Sequence, residues 1–181
     1  MRRIFFDMEF TGLRQHTTPI SLGIVTEGLV RSFYWEFNDY DPAQVDEWVG
    51  DNVLPQLGKH GCGVGLAAWS AGVGSREECA VSLRLWLNEM SGPIEVWSDC
   101  LAYDWVLFCE LFGRAKKLPD RVFYIPQDIS TLLWAAGVDP DINREEFAGV
   151  KGDHKHFALW DAQVIFYCFR KLQTMLRMND V

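Results

Sequence analysis

Residues 3–10 of the chain read RIFFDMEF, and this run decides the fold. Apolar residues occupy both alternating sets of positions, which is typical of a strand that is covered on both faces at the centre of a sheet. Asp7 and Glu9 are two residues apart, so both side chains point to one face of that strand. Two adjacent carboxylates in a poorly hydrated place are costly unless they are protonated or bind cations.

The segments directly after this run predict two further strands. Residues 19–28 (PISLGIVTEG) and 30–37 (LVRSFYWE) are joined at Glu27-Gly28, a dipeptide that favours a hairpin. Residues 58–74 are rich in Gly but lack the spacing of a phosphate-binding loop. We therefore expect a surface loop there rather than a nucleotide-binding motif.

The rest of the chain predicts helices alternating with one more strand. Residues 94–98 (IEVWS) indicate a buried strand, and helices are expected from about 102 to 112 and from just after 156 to about 178. This order of elements predicts an α/β fold, a central sheet flanked by helices. A chain of 181 residues without repeats or linkers is expected to form a single domain, residues 1–181.

The composition limits the classes of function and the compartment. A net charge of −8 argues against a protein that binds nucleic acid through overall charge, but not against a site that concentrates carboxylates around cations. Five cysteines without a C-x-x-C pair suit reduced thiols in a cytoplasmic protein. The first apolar run is cut at Asp7, so we expect no signal peptide, and we expect no membrane span.

Two more acidic residues interrupt predicted apolar helix faces. Asp104 lies on the same stripe as Leu107, Phe108 and Leu111, and Asp161 falls within the apolar stripe of the last helix. A single buried Asp is more often a helix cap or part of an ion pair. Four such carboxylates in one small domain, with few Lys or Arg on the same faces, instead favour an oxygen-rich site for Mg²⁺ or Mn²⁺.

His156 precedes Asp161 by five residues, which is about 140° around an ideal helix. The two residues would not share a helical face, so we expect the helix to begin just after His156 and to leave its imidazole on a loop beside the acidic site. A histidine there can accept a proton from water near neutral pH. An ordinary surface histidine is the alternative, which position alone does not exclude and which we expect for His154.

These residues resemble the DEDDh exonucleases, a group that includes ribonuclease T, oligoribonuclease and polymerase proofreading domains. The first motif, D-x-E followed by T-G, matches residues 7–12 (DMEFTG), and the second, an aromatic residue before Asp, matches Tyr103-Asp104. The third, H-x-A-x-x-D, matches residues 156–161 (HFALWD) and selects His156 over His154. The motifs occur in the family order and span nearly the whole chain.

The resemblance implies a ribonuclease H-like mixed sheet and a metal-dependent 3′-5′ exonuclease, most like the small bacterial exoribonucleases. Several of those are dimers, which leaves a homodimer open. It implies two-metal hydrolysis that releases nucleoside 5′-monophosphates, with His156 as the general base. The two divalent cations, Mg²⁺ with Mn²⁺ as the alternative, would be held by Asp7, Glu9, Asp104 and Asp161.

Substrate contacts are also implied by the resemblance. Glu9 would accept a hydrogen bond from the terminal 3′-OH, and the residues after it would bind the last nucleotide, namely Phe10, Thr11, Gly12 and Leu13. The family often has Asn five residues before the Asp of the second motif, where this chain has Asp99. The extra carboxylate is expected to alter either metal affinity or the contact with the terminal nucleotide.

Three alternatives to an exoribonuclease remain open from the sequence. The first is a 3′-5′ DNA exonuclease, because the choice of sugar depends on contacts with the 2′-OH that sequence does not reveal. The second is a nucleic-acid-binding module of the same fold without activity, which the intact motif residues argue against. The third is an unrelated domain whose acids form surface pairs, and it predicts that the four carboxylates do not cluster.

Overall fold

The computed structural model describes residues 1–58, 68–152 and 154–179. Within these ranges the strands are β1 (Arg2–Phe10), β2 (Pro19–Thr26), β3 (Arg31–Phe37), β4 (Ala68–Gly74), β5 (Ile94–Ser98) and β6 (Gln127–Asp128). They form one sheet in the order β4-β3-β2-β1-β5-β6. Strand β2 is antiparallel to both β1 and β3. Strand β4 runs parallel to β3, β5 runs parallel to β1, and β6 runs parallel to β5. The sheet is therefore mixed.

Helices cover both faces of this sheet. Within the described ranges they are α1 (Glu47–Asn52), α2 (Arg76–Asn88), α3 (Ala102–Leu111), α4 (Ile129–Ala135), α5 (Arg144–Ala148) and α6 (Ala158–Asn179). The predicted α/β class, a mixed sheet flanked by helices, is confirmed, and the strand order is compatible with a ribonuclease H-like fold. No helix in the described part of the chain is both long enough and apolar enough to cross a membrane.

Strand β1 lies between two hydrophobic cores, as its sequence predicts. Ile4, Phe6 and Met8 pack into the core formed with α2 and α3. Phe5 points the other way, into the core beneath α6, where its ring lies 5.3 Å from that of Phe166. Because side chains alternate along a strand, Asp7 and Glu9 face the α6 side as well. The same alternation that fills the two cores thus directs both carboxylates towards one helix.

The start of α6 rests directly on the sheet at Gly23. This residue of β2 pairs with Asp7 of β1. A Cβ atom at Gly23 would lie 2.3 Å from backbone atoms of Ala158 and Leu159, so a larger residue would force the helix away from the sheet. Tyr34, on the far side of Gly23, packs its ring 4.9 Å from that of Phe157. Glycine at this position therefore brings the first turn of α6 against the strands that carry the acids.

The structure differs from the sequence-based expectation at β4. A surface loop was predicted for 58–74, but residues 68–74 form an edge strand parallel to β3; residues 59–67 lie outside the described residues. The physical reason lies in two glycines of this segment. A Cβ atom at Gly72 or Gly74 would lie within 3.0 Å of the Trp35 ring, so these glycines make room for an indole against the strand rather than for a turn.

Candidate active site

The carboxyl end of β1 extends beyond the residues that pair with β5. The last such pair is Phe5 of β1 with Trp97 of β5. Beyond this pair, the backbone N–H of Met8 donates to Oδ1 of Asp104 at 2.8 Å. Asp104 is buried in the first turn of α3, where a negative charge is favoured by the helix dipole. The position of Asp104 in its predicted helix is confirmed, and the carboxylate replaces the missing strand partner.

The third motif lies at the junction between a turn and α6. His156 has a φ of 65°, a left-handed conformation that ends the preceding loop, and α6 begins two residues later. The backbone N–H of His156 donates to Oδ2 of Asp161 at 2.9 Å, so the Asp in the first turn of α6 fixes the histidine backbone. The prediction that the helix starts just after His156 is confirmed.

The carboxyl end of β1 and the turn before α6 meet around Glu9. His156 Nδ1 lies 3.7 Å from Oε1 of Glu9, which is an ion-pair distance once the imidazole is protonated. One potential ligand atom each from Glu9, His156 and Asp161 lie within 4.8 Å of one another. Such a group of oxygen and nitrogen atoms is compatible with a bound cation.

The carboxylates repel each other and are poorly hydrated. Desolvation raises the pKa of Asp7 well above its usual value, and the charges of Asp104, Asp161 and Glu9 raise it further. Desolvation also raises the pKa of Asp104 to about 7, although hydrogen bonds from backbone N–H groups oppose the change. The pKa of Asp161 is raised by desolvation and by the charge of Glu9. This clustering is contrary to the interpretation of the acids as unrelated surface pairs.

Two hollows meet at the side chains of Asp7 and Glu9. The polar hollow has a volume of about 510 Å³ and includes His156, Asp161 and Asp99 in its lining. The apolar hollow has a volume of about 520 Å³, and besides Asp7 and Glu9 its lining consists of Met8, Phe10, Gly12, Leu13, Asp46, Trp48, Val49 and Asp104. The acidic cluster therefore forms the boundary between a charged cavity and an apolar one.

The predicted substrate-binding residues divide between the apolar hollow and the interior. Phe10, Gly12 and Leu13 line this hollow, and Leu13 is 79% exposed. Thr11 is fully buried and lines neither hollow. Its hydroxyl donates to Oε1 of Gln44 at 2.7 Å, and its backbone N–H donates to the carbonyl of Thr18 at 3.0 Å. Thr11 thus holds the loop in place from beneath.

Asp99 lies at the end of β5 and lines the polar hollow, but its carboxylate is already paired. Arg144 donates through Nε to Oδ2 at 2.7 Å and through a terminal nitrogen to Oδ1 at 3.1 Å. Ser130 Oγ also donates to Oδ1, at 2.7 Å. This arrangement is a bidentate ion pair with an additional hydroxyl donor.

Trp48 is a residue of the site that sequence reasoning missed. It lies on α1, is 53% exposed and lines the apolar hollow opposite Leu13. Its ring meets that of His156 edge-on at 4.9 Å. An exposed tryptophan in a polar segment was the available signal, because a large apolar side chain that is left exposed beside a cavity often binds a ligand.

Two known proteins are similar in sequence to this chain. No family model matches the chain. Two 3′-5′ exoribonucleases of Mycobacterium tuberculosis, from strains CDC 1551 / Oshkosh and ATCC 25618 / H37Rv, are each 31% identical to it over 121 residues. The alignment covers 66% of this chain and 67% of each relative. On this extent of similarity, the chain belongs to the family of these 3′-5′ exoribonucleases.

Proposed function

We propose that the protein is a 3′-5′ exoribonuclease that hydrolyses single-stranded RNA or 3′ overhangs and releases nucleoside 5′-monophosphates. One observation carries the proposal: the acids of all three motifs and His156 converge where the two hollows meet. Two relatives named as 3′-5′ exoribonucleases favour RNA over DNA as the substrate. The reaction is the hydrolysis of the phosphodiester bond between the last two nucleotides.

Two divalent cations fit the donor set. The raised pKa values of Asp7, Asp104 and Asp161 mean that these carboxylates are held close together at a cost that bound cations would remove. Asp7, Glu9, Asp104 and Asp161 would hold Mg²⁺, or Mn²⁺, because hard cations prefer oxygen ligands. When bound, the cations would supply a water of lowered pKa and would stabilise charge on the phosphorus and the leaving oxygen.

His156 is the proposed general base. Its backbone is fixed by the hydrogen bond to Asp161, and its side chain is 25% exposed at the edge of the polar hollow. An imidazole in this position can remove a proton from a water at the acidic cluster and return it to solvent. Contact with the Trp48 ring limits the rotation of the imidazole towards the apolar hollow.

The apolar hollow is the proposed site of the terminal nucleotide. Trp48 and Leu13 present exposed apolar surface on which a base can stack, whatever its identity. Glu9 lies on the boundary of this hollow and can accept a hydrogen bond from a free 3′-OH. A nucleotide inside a strand has no 3′-OH to donate, so this contact selects chain ends.

Digestion of a 5′-labelled single-stranded RNA in Mg²⁺ tests the proposal, beside the DNA of the same sequence and the Asp7→Asn variant. We expect a ladder that shortens from the 3′ end, faster for RNA than for DNA and absent with the variant. A ladder on DNA alone would establish the alternative of a DNA exonuclease. Intact substrate in both Mg²⁺ and Mn²⁺ would contradict the proposal and favour an inactive binding module.

A further inference from the structure

The RNA on the 5′ side of the cleaved bond needs a binding site, and the location of this site rests on the proposed function. If the terminal nucleotide occupies the apolar hollow and the scissile phosphate lies at Asp7 and Glu9, the preceding nucleotide must lie across the acidic cluster. The polar hollow lies there. Lys155, exposed at its lining, carries a positive charge that suits a phosphodiester group.

One wall of the polar hollow is formed by residues 141–145, which include the start of α5. The guanidinium of Arg144 ties this wall to two other segments. It holds Asp99 at the end of β5 and contacts Ser130 Oγ, in the first turn of α4, at 3.0 Å. It also donates to the carbonyls of Pro140 and Ile142 at 2.7 and 2.6 Å, which closes the preceding loop on itself.

These contacts use every nitrogen of the guanidinium, so Arg144 is poorly placed to bind a phosphate directly. The side chains of Arg144 and Asp99 are only 18% and 19% exposed, which makes the pair more strongly coupled than an ordinary surface ion pair. On its other side α5 is attached to α6, because Lys171 donates to the carbonyl of Phe147 at 2.7 Å. The wall is thus held at both ends, and the ion pair sets its position against β5.

We propose that the polar hollow binds the ribonucleotide on the 5′ side of the scissile bond and that the Asp99–Arg144 pair positions its wall. Asp99 then acts on Arg144 rather than on a cation or on the terminal nucleotide. Arg144 is a positioning residue in this scheme, since it touches neither the reacting phosphate nor the cations. Its loss weakens the binding of longer substrates and leaves the chemical step intact.

The test compares two substrates that differ in the group on the 5′ side of the scissile bond. One is a 5′-labelled RNA oligomer, and the other is the p-nitrophenyl ester of uridine 5′-monophosphate, in which p-nitrophenol replaces the preceding nucleotide. For Arg144→Gln we expect KM for the RNA to rise roughly tenfold, because the misplaced wall no longer fits the strand, with kcat changed less than about twofold. The kcat/KM for the ester should stay within about twofold of wild type, since its p-nitrophenyl group has neither the ribose nor the phosphate that the polar hollow would hold.

Asp99→Asn is the conservative second variant. Its amide oxygen still accepts from Arg144, so the rise in KM for the RNA should be about two- to threefold, and the ester should again be unaffected. If Arg144→Gln fails to fold, as judged by circular dichroism, this variant carries the test. Combined with Arg144→Gln, Asp99→Asn should add nothing further to KM, because the two residues act through one contact.

Arg3→Gln is the matched control. It breaks two ion pairs of 3.0 Å, one with Glu27 and one with Glu95 at the opposite end of β5, where the side chains of Arg3 and Glu95 are 30% and 18% exposed. A similar rise in KM for this variant would mean that lost stability is the cause and would overturn the inference. A loss of ester hydrolysis in Asp99→Asn would place Asp99 on a cation and would overturn it too, as would an unchanged KM in Arg144→Gln. Wild-type protein that cleaves neither substrate would instead contradict the proposed function itself.

Discussion

The polar and apolar hollows share Asp7 and Glu9 but are built in different ways. Three acids of the polar hollow, Asp7, Glu9 and Asp161, are carried by β1 and α6, long elements that pack in the core. The apolar hollow is completed by a loop and by α1, a helix of only six residues, whose Trp48 and Leu13 stay exposed. Groups that need accurate geometry therefore lie on rigid elements, and groups that need only apolar surface lie on short ones. The acids at the boundary of the two hollows cost stability, because they are desolvated and their charges are crowded, whereas the exposed apolar side chains of the second hollow cost little.

The largest effect on activity is expected from Asp7→Asn, at the boundary of the two hollows. Loss of this charge at the centre of the acidic cluster should lower kcat by at least about 10³-fold on RNA. Because the pKa of Asp7 is raised by desolvation and by its acidic neighbours, the same variant should be more stable than wild type without metal. Single-turnover digestion and urea unfolding in EDTA measure the two quantities.

Asp39→Asn provides the control for Asp7→Asn, since it neutralises an acid that pairs with Arg76 away from both hollows. It should change activity less than about twofold, because a single ion pair of this exposure contributes little. Equal destabilisation of both variants in EDTA would contradict the strain assigned to the acidic cluster.

His156→Ala is expected to give the next largest effect. Loss of the general base should lower kcat by about 10²-fold, while KM for RNA changes little, because the terminal base is bound in the other hollow. The affinity for Mn²⁺, measured by isothermal titration calorimetry, should stay close to that of wild type. Unchanged kcat in His156→Ala would rule out its role as the base.

Trp48→Ala tests the apolar hollow, and kcat is measured beside KM because the indole also contacts the His156 ring at 4.9 Å. Loss of base stacking, worth about 1–3 kcal/mol per base, should raise KM roughly tenfold for every RNA sequence and leave kcat within a few-fold of wild type. Trp134→Ala is the matched control, since that indole is 72% exposed on α4 and lines neither hollow. An equal effect of both substitutions would mean that Trp48 has no special place at the substrate.

The smallest effect concerns pH and Asp104, the acid of the cluster that lines the apolar hollow. Because the pKa of Asp104 is raised to about 7 in the folded protein, from an ordinary value of 3.8, its protonated form favours folding. This contribution to the stability of the metal-free protein is complete below about pH 4 and is lost as pH rises to about 7. The slope is at most about 1.4 kcal/mol per pH unit for one proton.

Urea unfolding in EDTA between pH 4 and pH 8 measures this slope. Asp104→Asn should flatten it, since the amide still accepts the hydrogen bond from Met8 and does not titrate. Saturating Mg²⁺ should also flatten or reverse it, because cation binding favours the ionised carboxylates. An unchanged slope in Asp104→Asn would mean that other groups control the pH dependence.

The sequence predicted the catalytic side of the site better than the substrate side. Strand β1 and the start of α6 could be predicted, because alternation, helical period and motif spacing are local features of the chain. The place of Trp48 could not, since the segment before α1 meets the 10–13 loop through long-range contacts such as that of Thr11 with Gln44. The partner of Asp99 was hidden for the same reason, because Arg144 follows it by 45 residues. Strand β4 escaped prediction because its glycines are typical of loops, and their use depends on Trp35.

Gly23 affects which changes of sequence this protein can tolerate. The helix backbone lies directly on the strand at this point, so no intervening side chain sets the distance between them. Neutral changes on the outer face of α6 can therefore accumulate over many generations without moving Asp161 relative to Asp7. A single added methyl group at position 23 would shift that helix at once. The distance between Asp161 and Asp7 thus depends on a residue that has no side chain.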